Sequence, residues 1–149
     1  MTNKYITIDV TEKSVKLGEF KTLQMALESV GLTTGEVDWS GMGHTADKRH
    51  ITLMAYEFGL RPDWNGGRQF KYCRIGRQMY AGNLVIFAAD EMGENADMRE
   101  GERVLLEKHI EWLDDEDDCE VAIAEDRMDR PQMSVNGEIM WEWNKERMR

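Results

Sequence analysis

Asn83-Leu84-Val85-Ile86-Phe87-Ala88-Ala89 is the most apolar run in the chain, and Gly82-Asn83 at its start is a turn signal. An apolar stretch of this length predicts a central strand. Its neighbours supply the rest of a sheet. Residues 50–56 alternate, with Ile51, Leu53 and Ala55 on one face. Residues 4–10 also alternate, Ile6, Ile8 and Val10 against Tyr5, Thr7 and Asp9, which predicts a half-buried strand. Residues 14–20 follow a turn at 11–13 and predict a second strand. Residues 36–42, with Trp39, predict another, followed by a polar loop over 41–47. Residues 72–75 predict a short strand.

Helices are fewer. Thr22 is a suitable N-cap, Leu23, Ala26, Leu27 and Val30 fall at helical spacing, and Gly31 ends the run. After the apolar run, residues 90–97 read as an acidic loop. Asp97 and Glu100 fit a capping box, and Val104, Leu105, Leu106, Ile110, Trp112 and Leu113 predict a helix reaching about residue 113. The acids at 114–118 would oppose the dipole of that helix, so they are expected in a turn. Residues 120–124 alternate as a strand. Residues 132–143, turning at Asn136-Gly137, carry a hairpin signal with Ile139, Trp141 and Trp143 on one face.

These elements predict an α+β fold: a small antiparallel or mixed sheet with one N-terminal helix, plus a C-terminal helix and β-hairpin extension. The expected boundary separates an α+β domain, residues 1–98, from an acidic extension, residues 99–149. The length of 149 residues suits one such domain with an appendage.

Charge is segregated along the chain. Residues 90–129 hold 17 of the 29 carboxylates and four of the 19 Lys and Arg residues, a net of −13, while the rest of the chain nets +3. Self-repulsion of this kind costs folding free energy, so a chain that keeps it can be using it on a partner. An acidic protein is not expected to coat DNA or an anionic membrane. No apolar run approaches the ~18 residues of a membrane helix, and the N-terminus enters a strand pattern without a signal-peptide core. Cys73 and Cys119 stand far apart in no metal-like spacing, which favours free thiols in a reducing cytoplasm.

No catalytic signature emerges. G-x-S-x-G is absent, and Gly41-Met42-Gly43 is a lone G-x-G. His44, His50 and His109 form no ligand pattern, and His50 reads as a surface residue. The expectation is a protein that is not an enzyme, with no metal and no cofactor.

Three short motifs occur in order: Tyr56-Glu57-Phe58-Gly59-Leu60, Gly82-Asn83-Leu84-Val85-Ile86 and Asp90-Glu91-Met92-Gly93-Glu94. With the N-terminal strand pair and the helix ending at a glycine, they make residues 1–98 resemble a small domain of unknown function encoded by bacteriophages and other mobile elements. Phe58 stands where that family's first turn has an acid. The resemblance implies an origin in phages or mobile elements and an α+β fold, and it carries over no activity or site residue.

Resemblance and charge together lead to one functional expectation. A phage-encoded accessory protein would inhibit a host defence system, of anti-CRISPR or anti-restriction type, as a DNA mimic in the host cytoplasm. Its acidic surface would enter a basic nucleic-acid-binding groove on a host protein or ribonucleoprotein complex. The residues expected at that interface are Asp90, Glu91, Glu94, Asp97, Glu111, Trp112, Asp114, Asp115, Glu116, Asp117, Asp118 and Glu120. Two alternatives stay open. Arg61, Trp64, Arg68, Tyr72 and Arg74, in and after a glycine-rich loop, can stack a base and neutralise phosphates, as in a nucleotide-signal sponge. A structural or assembly subunit, including a homodimer, would use the tail hairpin to complete a sheet. The plain counter-readings are a solvated acidic face that aids solubility, and an acidic tail folded back on the arginines of residues 61–77.

Overall fold

The computed structural model describes residues 2–56, 71–75 and 78–113. The chain is α+β. Its strands are β1 (Asn3–Asp9), β2 (Ser14–Phe20), β3 (Val37–His44), β4 (His50–Tyr56), β5 (Tyr72–Ile75), β6 (Gln78–Ala81), β7 (Leu84–Ala89), β8 (Asn95–Ala96) and β9 (Ile110–Leu113). Its helices are α1 (Leu23–Ser29) and α2 (Glu100–His109). The six-stranded main sheet runs β2-β1-β7-β4-β3, with β8 added to β7, and a second sheet runs β6-β5-β9. Every pairing among the described residues is antiparallel.

Strand β7 lies at the centre of the main sheet, as its composition predicts. Leu84, Ile86 and Ala88 face one core with Ile6, Ile8, Ile51 and Leu53. Val85 faces a second core with Tyr5, Met54, Ala26 and Leu27. A strand covered on both faces has no use for alternation, so it reads as a continuous apolar run. The same burial extends to β1. Tyr5 is 1% exposed and Thr7 is also buried, so the strand expected to be half-buried is covered on both sides.

Helix α1 is too short to hold by itself, and packing and caps sustain it. The Thr22 hydroxyl accepts from the Met25 N–H at 3.2 Å. At the other end Gly31 sits at φ +78°, where a side chain would be strained. Its N–H donates to Glu28 O, and the Leu32 N–H donates to Leu27 O. This Schellman arrangement brings Leu32 onto Leu27. Burying Leu27 completely contributes roughly 1.5–3 kcal/mol.

The second sheet and α2 cover the opposite face. Cys73, Ile75, Tyr80, Met98 and Leu106 belong to the same cluster as Ile6 and Ile86. Three local expectations change here. Strand β3 continues to His44 through an irregularity between Gly41 and Gly43, where a polar loop was expected. Helix α2 ends at His109, and residues 110–113 form β9 instead of a last helical turn, because Ile110 to Leu113 pair with Ile75 to Tyr72. The capping box also moves. The helix begins at Glu100, and the Glu102 carboxylate accepts from the Arg99 N–H at 2.9 Å. The hairpin expected over residues 132–143 and the strand over 120–124 lie outside the described residues. Among the described residues, no helix is long and apolar enough to cross a membrane.

Candidate functional site

The two residue sets singled out from the sequence meet in the small sheet. Tyr72 pairs with Leu113, Cys73 with Trp112 and Arg74 with Glu111. Alternation decides what each does. Cys73 and Ile75 point into the core and are fully buried, while Tyr72 and Arg74 lie on the half-exposed face. Arg74 Nη2 is 2.9 Å from Glu111 Oε2, and its Nε donates to the same oxygen at 3.1 Å. Glu111 and Trp112 were expected on a helix. They stand on β9, and Trp112 packs against the core instead of projecting freely.

The antiparallel register has a geometric consequence. Residues 57–70, with Arg61, Trp64 and Arg68, lead into the start of β5. The run Asp114, Asp115, Glu116, Asp117, Asp118, with Glu120 beyond it, continues from the end of β9. Because Tyr72 faces Leu113, the chain enters β5 and leaves β9 at one end of the sheet. Arg61, Trp64, Arg68 and residues 114–120 themselves lie outside the described residues.

A cleft of about 210 Å³ opens beside Lys71. Tyr56 and Lys71, which bracket residues 57–70, both line it, with Thr11, Thr33, Glu36 and Asn83. Asn83 fixes its floor: its Oδ1 accepts from the Val10 N–H at 2.9 Å, and its Nδ2 donates to Val30 O at 3.0 Å. An amine, a carboxylate and three hydroxyls around Val10, Val30 and Leu32 suit the capture of a small polar molecule.

The remaining acidic candidates among the described residues lie on or near β7, β8 and α2. The Asp90 Oδ1 accepts from the N–H groups of Met92 and Glu94 at 2.9 and 3.0 Å and closes a turn. The Asp97 Oδ1 accepts from the Lys4 N–H at 2.9 Å and from Asn3 Nδ2 at 3.1 Å. Glu91 lies 3.5 Å from the Lys48 amine with both side chains exposed, and Glu94 is exposed. Asp97 and Glu111 flank opposite ends of α2, ten residues or about 15 Å long.

Sequence reasoning missed a buried ion pair. Arg49 and Glu102 are 6% and 3% exposed. Arg49 Nη2 is 2.8 Å from Glu102 Oε2, and Nη1 donates to Glu102 Oε1 at 3.1 Å and to Asp97 O at 2.6 Å. Its Nε donates to both oxygens of Asp47 at 3.2 Å. Arg99 and the Thr45 hydroxyl also donate to Asp47. Burial alone would raise the Asp47 carboxyl, but Thr45, Arg49 and Arg99 outweigh it and hold it below the usual range. Burial pushes the Glu102 carboxyl up, against the pull of Arg49. The signal in the sequence was only a charged residue inside the hairpin, which reads as an ordinary turn. No family model matches the chain, and no curated protein or solved structure matches it either.

Proposed function

We propose that the protein is a non-catalytic inhibitor of a host defence system, encoded by a phage or mobile element, which presents the acidic segment after Leu113 to a basic nucleic-acid-binding groove. One observation carries the reading. In the folded body Asp90, Asp97, Glu102 and Glu111 are spent on internal hydrogen bonds and ion pairs. Residues 114–149 hold 12 of the 29 carboxylates against five Lys and Arg residues. In sequence, the acidic run thus follows directly on β9. A cationic groove built for a duplex with one charge per ~1.7 Å attracts such a segment and gains from counterion release.

The test is competition with labelled duplex DNA for purified DNA-binding defence complexes, at low and high salt. Neutralising Asp114, Asp115, Glu116, Asp117 and Asp118 to Asn or Gln is expected to weaken competition at least about tenfold, and added salt to weaken it steeply. Competition that ignores salt, or survives the neutralisation, overturns the reading.

We propose as a second reading a binder of nucleotide signals, for which Lys71 at the cleft and the neighbouring Arg61, Trp64, Arg68, Tyr72 and Arg74 of the sequence supply cations and stacking rings. A melting temperature raised by cyclic or linear nucleotides, and lost in Lys71→Ala, supports it. No shift across such a set rejects it.

A further inference from the structure

The β3–β4 hairpin carries a cross-strand pair of histidines. Thr45 and Arg49 close the hairpin, the Thr45 N–H donating to Arg49 O at 2.9 Å. The next pair outward is His44 and His50. In an antiparallel ladder the pair next to a hydrogen-bonded one is non-hydrogen-bonded, and there side chains approach most closely. The two imidazole centroids are 3.9 Å apart with a tilt of 59°. Both residues are exposed, so neither ring is needed for the core.

The platform beneath them is unusually well fixed. Thr45 and Arg49 are buried, the Arg49 N–H donates to the Thr45 hydroxyl at 3.1 Å, and the Arg49 side chain is locked to Glu102 and Asp97. Two imidazoles held side by side on such a platform lose little freedom when they share one ion.

We propose that His44 and His50 form a surface chelate for a borderline transition-metal ion. Each imidazole supplies one nitrogen at roughly 2.0–2.1 Å, and water fills the remaining positions. Among the described residues no third His, Cys, Asp or Glu joins them. Nitrogen ligands set the selectivity: Cu²⁺ binds more tightly than Ni²⁺ or Zn²⁺, and the oxygen-seeking Mg²⁺ and Ca²⁺ do not compete. The six-residue separation matches no ligand spacing in sequence, because the hairpin and not the helix or loop brings the rings together.

The full chain is titrated calorimetrically with the chloride salts of Cu²⁺, Ni²⁺, Zn²⁺, Mg²⁺ and Ca²⁺. His44→Asn and His50→Asn are compared with wild type and with His109→Asn. Melting temperatures without metal show that each variant folds. The expected result is one Cu²⁺ or Ni²⁺ site that each hairpin variant weakens at least about tenfold, since even outer-shell changes cost that much. His109→Asn is expected to leave it unchanged. With Ni²⁺ or Cu²⁺, broadening of amide signals should centre on Thr45 and Ile51. Absence of binding, equal binding by the hairpin variants, or displacement by equimolar Ca²⁺ would overturn the proposal.

Discussion

Arg74 and Glu111 stand opposite each other on β5 and β9, with Arg74 Nη2 2.9 Å from the carboxylate. One comes from the basic set read in the sequence and the other from the acidic set. At this pair the acidic and basic sets meet within the chain itself. Glu111→Gln should therefore leave competition with DNA unchanged, while neutralisation of residues 114–118 weakens it. The stability cost should stay below about 1 kcal/mol, because Glu111 is largely exposed. Competition assays and urea titration on the two variants read both quantities, and equal loss of competition would show that Glu111 belongs to the interface.

Glu102→Leu should destabilise the fold by about 3–5 kcal/mol, because Arg49 keeps a buried charge without its main partner. Adding Arg49→Met should recover part of that loss. Chemical denaturation of the single and double variants measures it. A single-variant cost below about 1 kcal/mol would mean the pair is solvated.

Asp47 makes the fold sensitive to acid. Its folded carboxyl titrates below its unfolded value. The stabilisation is therefore complete above the unfolded value, near pH 4, and is lost as pH falls through the folded value. Glu102 acts with the opposite sign, because its carboxyl is raised. Comparing Asp47→Asn with wild type isolates the first effect: the variant should be less stable at neutral pH, and the gap should close on acidification. A gap independent of pH would reject the assignment.

Cys73 should resist thiol reagents. It is fully buried, and burial pushes its thiol up to about 12. In Cys119→Ser protein, a chromogenic disulfide should react only on unfolding. Reaction at the rate of a free thiol under native conditions would contradict the burial.

Tyr5 has a buried hydroxyl without a hydrogen-bond partner among the described residues. Burial raises it, and the Asp97 charge adds to the rise. Tyr5→Phe should be neutral or stabilising by about 1 kcal/mol, since it removes an unsatisfied polar atom and keeps the ring contact with Phe20. A clear fall in melting temperature would show that the hydroxyl has a partner.

Much of the main sheet was legible. Alternation in residues 50–56, the apolar run at 84–89, and Thr22 with Gly31 around α1 each act over a few neighbouring residues, so their meaning survives without tertiary context. Residues 110–113 were not legible in the same way. Ile110, Trp112 and Leu113 fit the end of a helix or a short strand equally well, and pairing with β5 decided between them. Strand β6 carried too few residues to announce itself. The acidic candidates were read from abundance, whereas Asp90 and Asp97 are held by backbone N–H groups that charge counting does not see.

Periodicity and capping belong to the chain alone, and they already set the α+β class, the central strand and the N-terminal helix. The second sheet, the buried Arg49–Glu102 pair and the His44–His50 contact arose only on folding. Each depends on residues brought together by ladder hydrogen bonds and core burial, whose free energy is summed over the whole domain and is not written in any local stretch.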